Sequence, residues 1–297
     1  VYIGSDFNIC GNVDSSYLFA GMTNLTKIEN INNLYTININ DMSHMFEGDS
    51  ILTSLELKNN FNTINVKNMS YMFNNCLKMT SLNLGPNCIT DNVTNMQYMF
   101  ANNSSISKMA LGENFNVSNV EYINNMFQGN TSLKSIDGIQ KFNTKTVKDM
   151  SSLFENCSNL EELNLGKEFY TSNVINMNKM FYNCNSMKNL DLGPAFTNIA
   201  SKHTDIMTNC GDSSTQVYVG EAIYLSNKSL RENSNSTNTI SYSIGTINCK
   251  YYINWKKMSS TLDENNKRLV VVVTAEGVNT TYKAGQETLK DTDITIY

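Results

Sequence analysis

A Met-Phe or Leu-Phe pair returns along this chain every 27 residues, and this period limits the fold more than any other feature. The phenylalanine defines position 0 of each copy, and the first seven copies are centred on Phe19, Phe46, Phe73, Phe100, Phe127, Phe154 and Phe181. A less regular eighth copy follows 26 residues later at Met207. A fixed period of about 20 to 50 residues indicates a repeat array in which each unit buries its apolar side against the next.

The segment before each phenylalanine carries apolar residues at positions −7, −4 and −1, as Val66, Met69 and Met72 do in the third copy. These offsets place the side chains on one face of a short helix. An Asn or Asp at −5 in five copies, such as Asn68, is positioned to accept a backbone N–H at the start of that helix. The sequence therefore predicts a short helix in each copy.

The segment after each phenylalanine ends in a Leu-x-Leu pattern at +9 and +11, which is typical of a strand. A glycine suited to a turn follows at +12 in four copies: Gly85, Gly112, Gly166 and Gly193. Stacked copies would pair these strands in a parallel sheet, giving a right-handed solenoid with a 27-residue period and about eight repeats. Asn30 and Gly138 replace the apolar residue at +11 in two copies, so irregular strand ends are expected there.

The third copy carries a motif that extends beyond the Met-Phe pair. Residues 72–84 read Met-Phe-x-x-Cys-x-x-Met-x-x-Leu-x-Leu, and residues 63–69 read Thr-x-Asn-Val-x-Asn-Met. This pattern, repeated over residues 11–211, resembles the BspA-like leucine-rich repeats of bacterial surface proteins. The resemblance implies an α/β leucine-rich repeat solenoid, a protein that is exported and attached to the cell surface, and a role in adhesion or ligand binding. The family has no shared catalytic residues to transfer.

The period ends near Gly211, and β-type segments follow it. We predict a solenoid over residues 1–211, a C-terminal cap over 212–248, and a β-rich, Ig-like module over 249–297 that is too short to be a whole sandwich of about 100 residues. A single β domain beginning at residue 213 is the alternative. The chain also reads as a fragment, with an export signal and anchor expected outside it.

The composition argues against two classes of partner. Only 16% of residues are charged and the net charge is −5, so no broad basic surface is available for nucleic acid. No run approaches 18 apolar residues, which argues against direct membrane insertion.

Nothing in the sequence predicts an enzyme, a cofactor or a metal site. The only two histidines, His44 and His203, lack a neighbouring nucleophile pattern, and no Cys-x-x-Cys pair is present. A glycosidase-like pair of carboxylates remains the enzymatic alternative.

Two columns of polar or weakly polar residues are assigned to the fold. Cysteines recur at +3 as Cys76, Cys157, Cys184 and Cys210, and are predicted to be a buried stack, with a disulfide among the last three left open. Cys10, Cys88 and Cys249 are read as further core candidates. Asparagines recur at −8 as Asn38, Asn65, Asn92, Asn119 and Asn173, with Thr146 in one copy, and are predicted to bond loop backbone.

The predicted ligand surface is the outward side of the sheet, at positions +8 and +10, because these side chains alternate with the buried +9 and +11. The candidate ligand-binding residues are Lys27, Glu29, Glu56, Lys108, Asp137, Glu162, Asn164 and Asp191. The expected partner is a surface or matrix protein of a host or neighbouring cell, or a glycan. The alternative is a structural spacer with no ligand of its own.

Overall fold

The computed structural model describes residues 1–4, 9–196, 200, 202–211 and 215–220, and the backbone of three further strands. The strands are β1 (Ile9–Cys10), β2 (Leu34–Tyr35), β3 (Ser54–Glu56), β4 (Ser81–Asn83), β5 (Lys108–Ala110), β6 (Ser135–Asp137), β7 (Glu162–Asn164), β8 (Asn189–Asp191), β9 (Gln216–Gly220), β10 (Ser241–Tyr242), β11 (Tyr251–Tyr252) and β12 (Arg268–Val272). The helices of the described residues are two 3-10 turns, at Ile31–Asn33 and Ile139–Lys141.

Strands β3 to β8 all occupy positions +8 to +10, as the Leu-x-Leu pattern predicts. They pair in parallel with a 27-residue register, for example Leu55 with Leu82 and Leu163 with Leu190. The predicted parallel sheet is not continuous, because hydrogen-bonded pairing is divided among β3–β4, β5–β6 and β7–β8–β9. One division follows β6, where Gly138 has a φ of 101° and leads into a 3-10 turn. Asn30 begins the other 3-10 turn with a φ of 57°, which confirms the irregular strand ends predicted for both copies.

The short helix predicted in each copy is wrong. The residues at −2 and +2 have positive φ in all eight copies, as His44 (59°) and Gly48 (75°) do in the second. Left-handed residues four positions apart interrupt the N–H(i) to O(i−4) hydrogen bonds that an α-helix requires. The segment therefore forms successive turns, and these turns direct the apolar side chains at −4 and −1 into the core. The Asp41 carboxylate accepts the N–H of Ser43 two residues later (2.8 Å), so it closes a turn where a helix cap was expected.

These turn segments form a second set of contacts between copies. Backbone N–H groups at −4, −2, 0 and +2 donate to carbonyls of the next copy. In the second copy the bonds run from Met42 to Asn68 (3.0 Å), His44 to Ser70 (2.9 Å), Phe46 to Met72 (2.9 Å) and Gly48 to Asn74 (2.8 Å). Parallel bridges at −5 continue this contact from Asp14 to Lys202. Adjacent copies are therefore joined along both the strands and the turns.

The Met-Phe pairs form the core, as predicted. The phenylalanine rings at position 0 stack on one another from Phe19 to Phe181, with centroids 5.3 to 5.8 Å apart. Six of them, from Phe46 to Phe181, are completely buried. Offset stacking adds to the free energy of burial, so the column holds neighbouring copies in register.

Polar columns at −10 and −8 satisfy the backbone of the loops. Thr63 donates to the carbonyl of Ile89 (2.7 Å) from a buried position, and Asn92 donates to the carbonyl of Ile64 (2.7 Å). Asn65, Asn119 and Asn173 repeat the second bond, and Thr146 replaces it with its hydroxyl. The predicted backbone-bonding role of the −8 column is confirmed for these copies.

The proposed cap at 212–248 and Ig-like module at 249–297 lie mostly outside the described residues. Within them, β9 pairs in parallel with β8 and antiparallel with β12, and β10 pairs antiparallel with β11. The β-rich assignment of this region agrees with these four strands, while its division into two units stays a prediction.

The Gly85→Ala substitution is expected to destabilise the protein by about 1 to 3 kcal/mol or more. Gly85 has a φ of 73°, and an added Cβ would lie 2.2 Å from the carbonyl oxygen of Leu57 in the preceding copy. Urea unfolding measures the loss. Gly112→Ala is the matched control, because Gly112 has a similar φ (79°) but no atom within 4 Å of an added Cβ. Equal losses in the two variants would contradict the role assigned to the close approach.

Candidate ligand-binding surface

The outward side of strands β3 to β8 has the alternation predicted for a presented surface. In β3, Ser54 and Glu56 are exposed on either side of buried Leu55. Seven of the eight predicted ligand residues are exposed, and Asp191 is partly buried. Lys27 and Glu29 belong to the first copy, where Glu29 forms a parallel bridge with Tyr2. The geometry therefore places the candidate residues on accessible positions, while ligand binding by them stays a prediction.

Three of the candidate acids are paired with lysines on the same surface. Lys27 lies 3.0 Å from Glu29, and Lys108 lies 2.9 Å from Asp137 in the next copy. Glu56 forms an ion pair with Lys58, a residue outside the predicted columns. All of these side chains are close to half exposed or more, so water screens the pairs and each contributes at most about 1 kcal/mol. Such pairs can be exchanged for charges of a partner at little cost in stability.

The remaining candidates also have partners within the chain. Asn164 accepts the N–H of Gly166 (2.8 Å), and Asp191 accepts the N–H of Gly193 (2.9 Å). These bonds close the turn after the strand, which gives both side chains a structural role. Glu162 accepts a bond from Asn189 of the next copy (3.2 Å). Glu56, Asp137 and Glu162 are therefore the candidate acids whose side chains the fold requires least.

The cysteines of the described residues are all free thiols, and a disulfide among Cys157, Cys184 and Cys210 is not formed. Cys76, Cys157 and Cys184 are completely buried, which confirms the predicted stack, and Cys88 is also buried. Burial raises the pKa of the Cys76, Cys88 and Cys157 thiols to about 12, so these groups stay protonated.

Cys10 departs from the core assignment because it is exposed in β1, near the start of the chain. Cys249 lies outside the described residues. The described residues hold no group of three His, Cys, Asp or Glu side chains that could bind a metal ion. Nor does the described part of the chain contain a helix long and apolar enough to cross a membrane.

A stack of aromatic rings on the turn segments is a feature that the sequence reasoning missed. Tyr17, His44, Tyr71 and Tyr98, all at position −2, stack face to face with centroids 4.3 to 4.6 Å apart. His44 also lies 2.5 Å from a carboxylate oxygen of Glu47. Tyr17, at the end of the stack, is 58% exposed. The sequence carries a signal for this stack, since four aromatic rings occupy the −2 column in consecutive copies.

Comparison with known protein families gives a match over most of the chain. Residues 13–111 and 94–217 match a family described as "Mycoplasma protein of unknown function, DUF285". The two ranges together span residues 13 to 217, which include the position 0 residue of all eight copies of the repeat. No curated protein and no solved structure matches the chain.

Proposed function

We propose that this chain, which belongs to the DUF285 family of Mycoplasma proteins of unknown function, acts as a binding module of a bacterial cell surface and has no catalytic activity. Its repeats form a BspA-like leucine-rich repeat solenoid, and its ligand is a surface or matrix protein of a host or neighbouring cell. The site of action is extracellular, on a protein attached to the cell surface. A glycan is the alternative ligand on the same surface.

The main support for this proposal is that residue types repeat at the core positions of each copy but vary at the exposed positions of the sheet. Positions −10, −8, −4, −1 and 0 repeat the same residue types, and their side chains are used in contacts within and between copies. Positions +8 and +10 differ from copy to copy, and on β3, β5 and β7 they are exposed on both sides of a buried residue. A row of short parallel strands offers such variable side chains to a partner without a change in the core.

The electrostatics of the surface support a protein ligand. The +8 and +10 columns carry five acidic side chains and two lysines, and the exposed ion pairs such as Lys108–Asp137 leave both charges accessible. Complementary charges on a partner would set its orientation and its rate of association more than its affinity.

A structural spacer is the second candidate function. The self-pairing of Glu56 with Lys58 and the turn-closing role of Asp191 give these residues a purpose without a ligand. A spacer would hold a distal domain away from the cell, and charge changes on its surface would be neutral.

Reversing three charges separates the two functions. The Glu56→Lys, Asp137→Lys and Glu162→Lys variant is expected to bind cultured epithelial cells about tenfold more weakly than the unchanged chain, when the labelled proteins are titrated and bound fluorescence is measured. Its urea unfolding curve should be nearly unchanged, because these side chains are exposed.

The matched control changes Asp91, Glu113 and Glu168 to Lys, which shifts the net charge equally outside the sheet columns. It should keep full binding. Equal loss in both variants would indicate nonspecific charge effects. Full binding by the sheet variant would contradict the assigned surface, and no saturable binding by the unchanged chain would favour the spacer.

A further inference from the structure

Position +3 forms a column of small, completely buried side chains inside the repeat array. Its completely buried members, from the second copy to the seventh, are Asp49, Cys76, Asn103, Asn130, Cys157 and Cys184. Asp49 is the only carboxylic acid in this column, and it belongs to the second copy. An acid in a column of thiols and amides requires a physical account, because a buried charge without a partner is costly.

The other members show what this position demands. The thiols of Cys76, Cys157 and Cys184 donate to the position 0 carbonyl of the preceding copy, at sulfur to oxygen distances of 3.1, 3.0 and 3.2 Å. The amide of Asn130 donates to the same acceptor, the carbonyl of Phe100 (2.9 Å). Its amide oxygen accepts the N–H of Asn103 in that preceding copy (2.9 Å). The three thiols and Asn130 therefore donate to the copy before them, whereas the Asn103 amide donates to the carbonyl of Phe100 in its own copy (3.0 Å). Both asparagines accept an N–H from the preceding copy.

Asp49 reproduces only half of this pattern. Its Oδ1 atom accepts the N–H of Met22 in the first copy at 3.0 Å, as the Asn130 oxygen does for Asn103. Its Oδ2 atom is buried and has no hydrogen-bond partner. By equivalence with Asn130, the acceptor available to a donor on this side is the carbonyl of Phe19. An ionised carboxylate cannot donate, whereas a neutral carboxylic acid supplies the missing O–H.

We propose that Asp49 is held as a neutral carboxylic acid whose Oδ2–H donates to the carbonyl of Phe19, and that its ionisation releases the first copy of the repeat from the second as pH rises. The contact between the first and second copies is then sensitive to pH. It is closed in acidic surroundings and opens toward neutral pH. This device is independent of the proposed ligand surface.

The groups around Asp49 are consistent with a neutral acid. Met22 faces it from the first copy, and the Cys76 thiol faces it from the third. Glu47 lies two residues away and pairs with His44, and both of these side chains are partly buried. Within the described residues, no Lys, Arg or His forms an ion pair with Asp49. Burial raises the pKa of the Cys76 thiol, and a charged Asp49 would raise it further, so the thiol stays neutral beside Asp49. A thiol has no cationic form, so it supplies no positive charge to a carboxylate.

Burial raises the pKa of Asp49 to about 7 from an ordinary value of 3.8, and the bond from the Met22 N–H opposes that rise. The sign of the effect follows from proton binding. Between the two values the closed state holds a proton that the open state has lost, so closure weakens as pH rises from about 4 to about 7. Above pH 7 both states are ionised, and no further change is expected.

Hydrogen exchange at the first copy tests the proposal. The amides of Ser15, Tyr17, Phe19 and Gly21 donate to carbonyls of the second copy and report its release. We expect their protection factors, after correction for the intrinsic pH dependence of exchange, to decrease by a factor of about 10 to 100 when the pH is raised from 5 to 7.5. Carbon-13 NMR of the Asp49 carboxyl should give a midpoint near neutral pH.

Asp49→Asn is the decisive variant, because its amide supplies the donor found at Asn130. Its first-copy protection factors should be independent of pH in this range and exceed those of the unchanged chain at pH 7.5. Asp137→Asn removes an exposed carboxylate and should keep the original pH dependence. The proposal is overturned if the Asp49 carboxyl titrates near 4, or if Asp49→Asn loses protection with pH as the unchanged chain does.

Discussion

Replacing Phe100 with alanine is expected to reduce the free energy of unfolding by about 3 to 5 kcal/mol. The Phe100 ring is completely buried and lies between Phe73 and Phe127, at centroid distances of 5.7 and 5.8 Å. It also contacts Phe115 at 6.1 Å. The cavity left by alanine would face aromatic rings on several sides, and close packing of neighbouring copies prevents its collapse.

Phe19→Ala is the matched control, because Phe19 has a ring neighbour on one side, Phe46, and is 7% exposed. It should lose clearly less stability than Phe100→Ala. Urea unfolding followed by circular dichroism measures both. Because the copies contact their neighbours in sequence, loss of a central ring should also broaden the transition by separating the two halves of the array. Equal losses at the two positions would show that the column does not act as a continuous core.

The repeat period and the strands could be predicted from the sequence because they depend on side-chain columns. Position +9, which Leu55 and Leu82 occupy, is apolar in each of the first seven copies because its side chain packs against the equivalent residue 27 positions away. The +12 glycines were also predictable, since Gly193 needs a positive φ of 75° and its neighbour Gly166 lies against it. Such requirements are local and recur in each copy.

The helix prediction failed because the offsets −7, −4 and −1 do not distinguish a helix from successive turns. The distinguishing signal was at +2, where every copy has Gly or Asn, as in Gly48 and Asn75. These residues adopt the left-handed conformation most readily, and all eight do so. Position −2 gave no such signal, because tyrosine, serine and lysine also occur there. The contacts between copies impose the positive φ on them.

The exposure of the candidate ligand residues followed from strand alternation, whereas their partners did not. The Lys108–Asp137 pair joins two copies, and Lys58, the partner of Glu56, lies outside the +8 and +10 columns. Whether charged side chains of two copies form an ion pair depends on their length and conformation, which the sequence spacing of the residues does not specify. The +3 column was recognised only by its cysteines. Its common property is hydrogen-bond donation, shared by thiols and asparagine amides, and it became visible only with the carbonyl acceptors in place.

That property makes Asn130 the residue whose isosteric replacement should have the largest pH-dependent effect. Asn130→Asp keeps the oxygen that accepts the Asn103 N–H (2.9 Å) but loses the amide that donates to the carbonyls of Phe100 and Phe127, both at 2.9 Å. The new carboxyl is completely buried, as Asp49 is, so its pKa should rise in the folded state for the same reason. Each pH unit between the unfolded and folded pKa values then costs about 1.4 kcal/mol.

Asn130→Asp should therefore be destabilised by about 3 kcal/mol more at pH 7 than at pH 5, because the folded state must keep a proton that the unfolded chain releases. Urea unfolding at the two pH values, each compared with the unchanged chain, measures the difference. Asn130→Ala removes the same hydrogen bonds without adding an acid, and its loss should be similar at both values. A pH-independent loss in Asn130→Asp would mean that water or a rearranged carbonyl accommodates the charge, and that burial in the +3 column does not enforce a neutral acid.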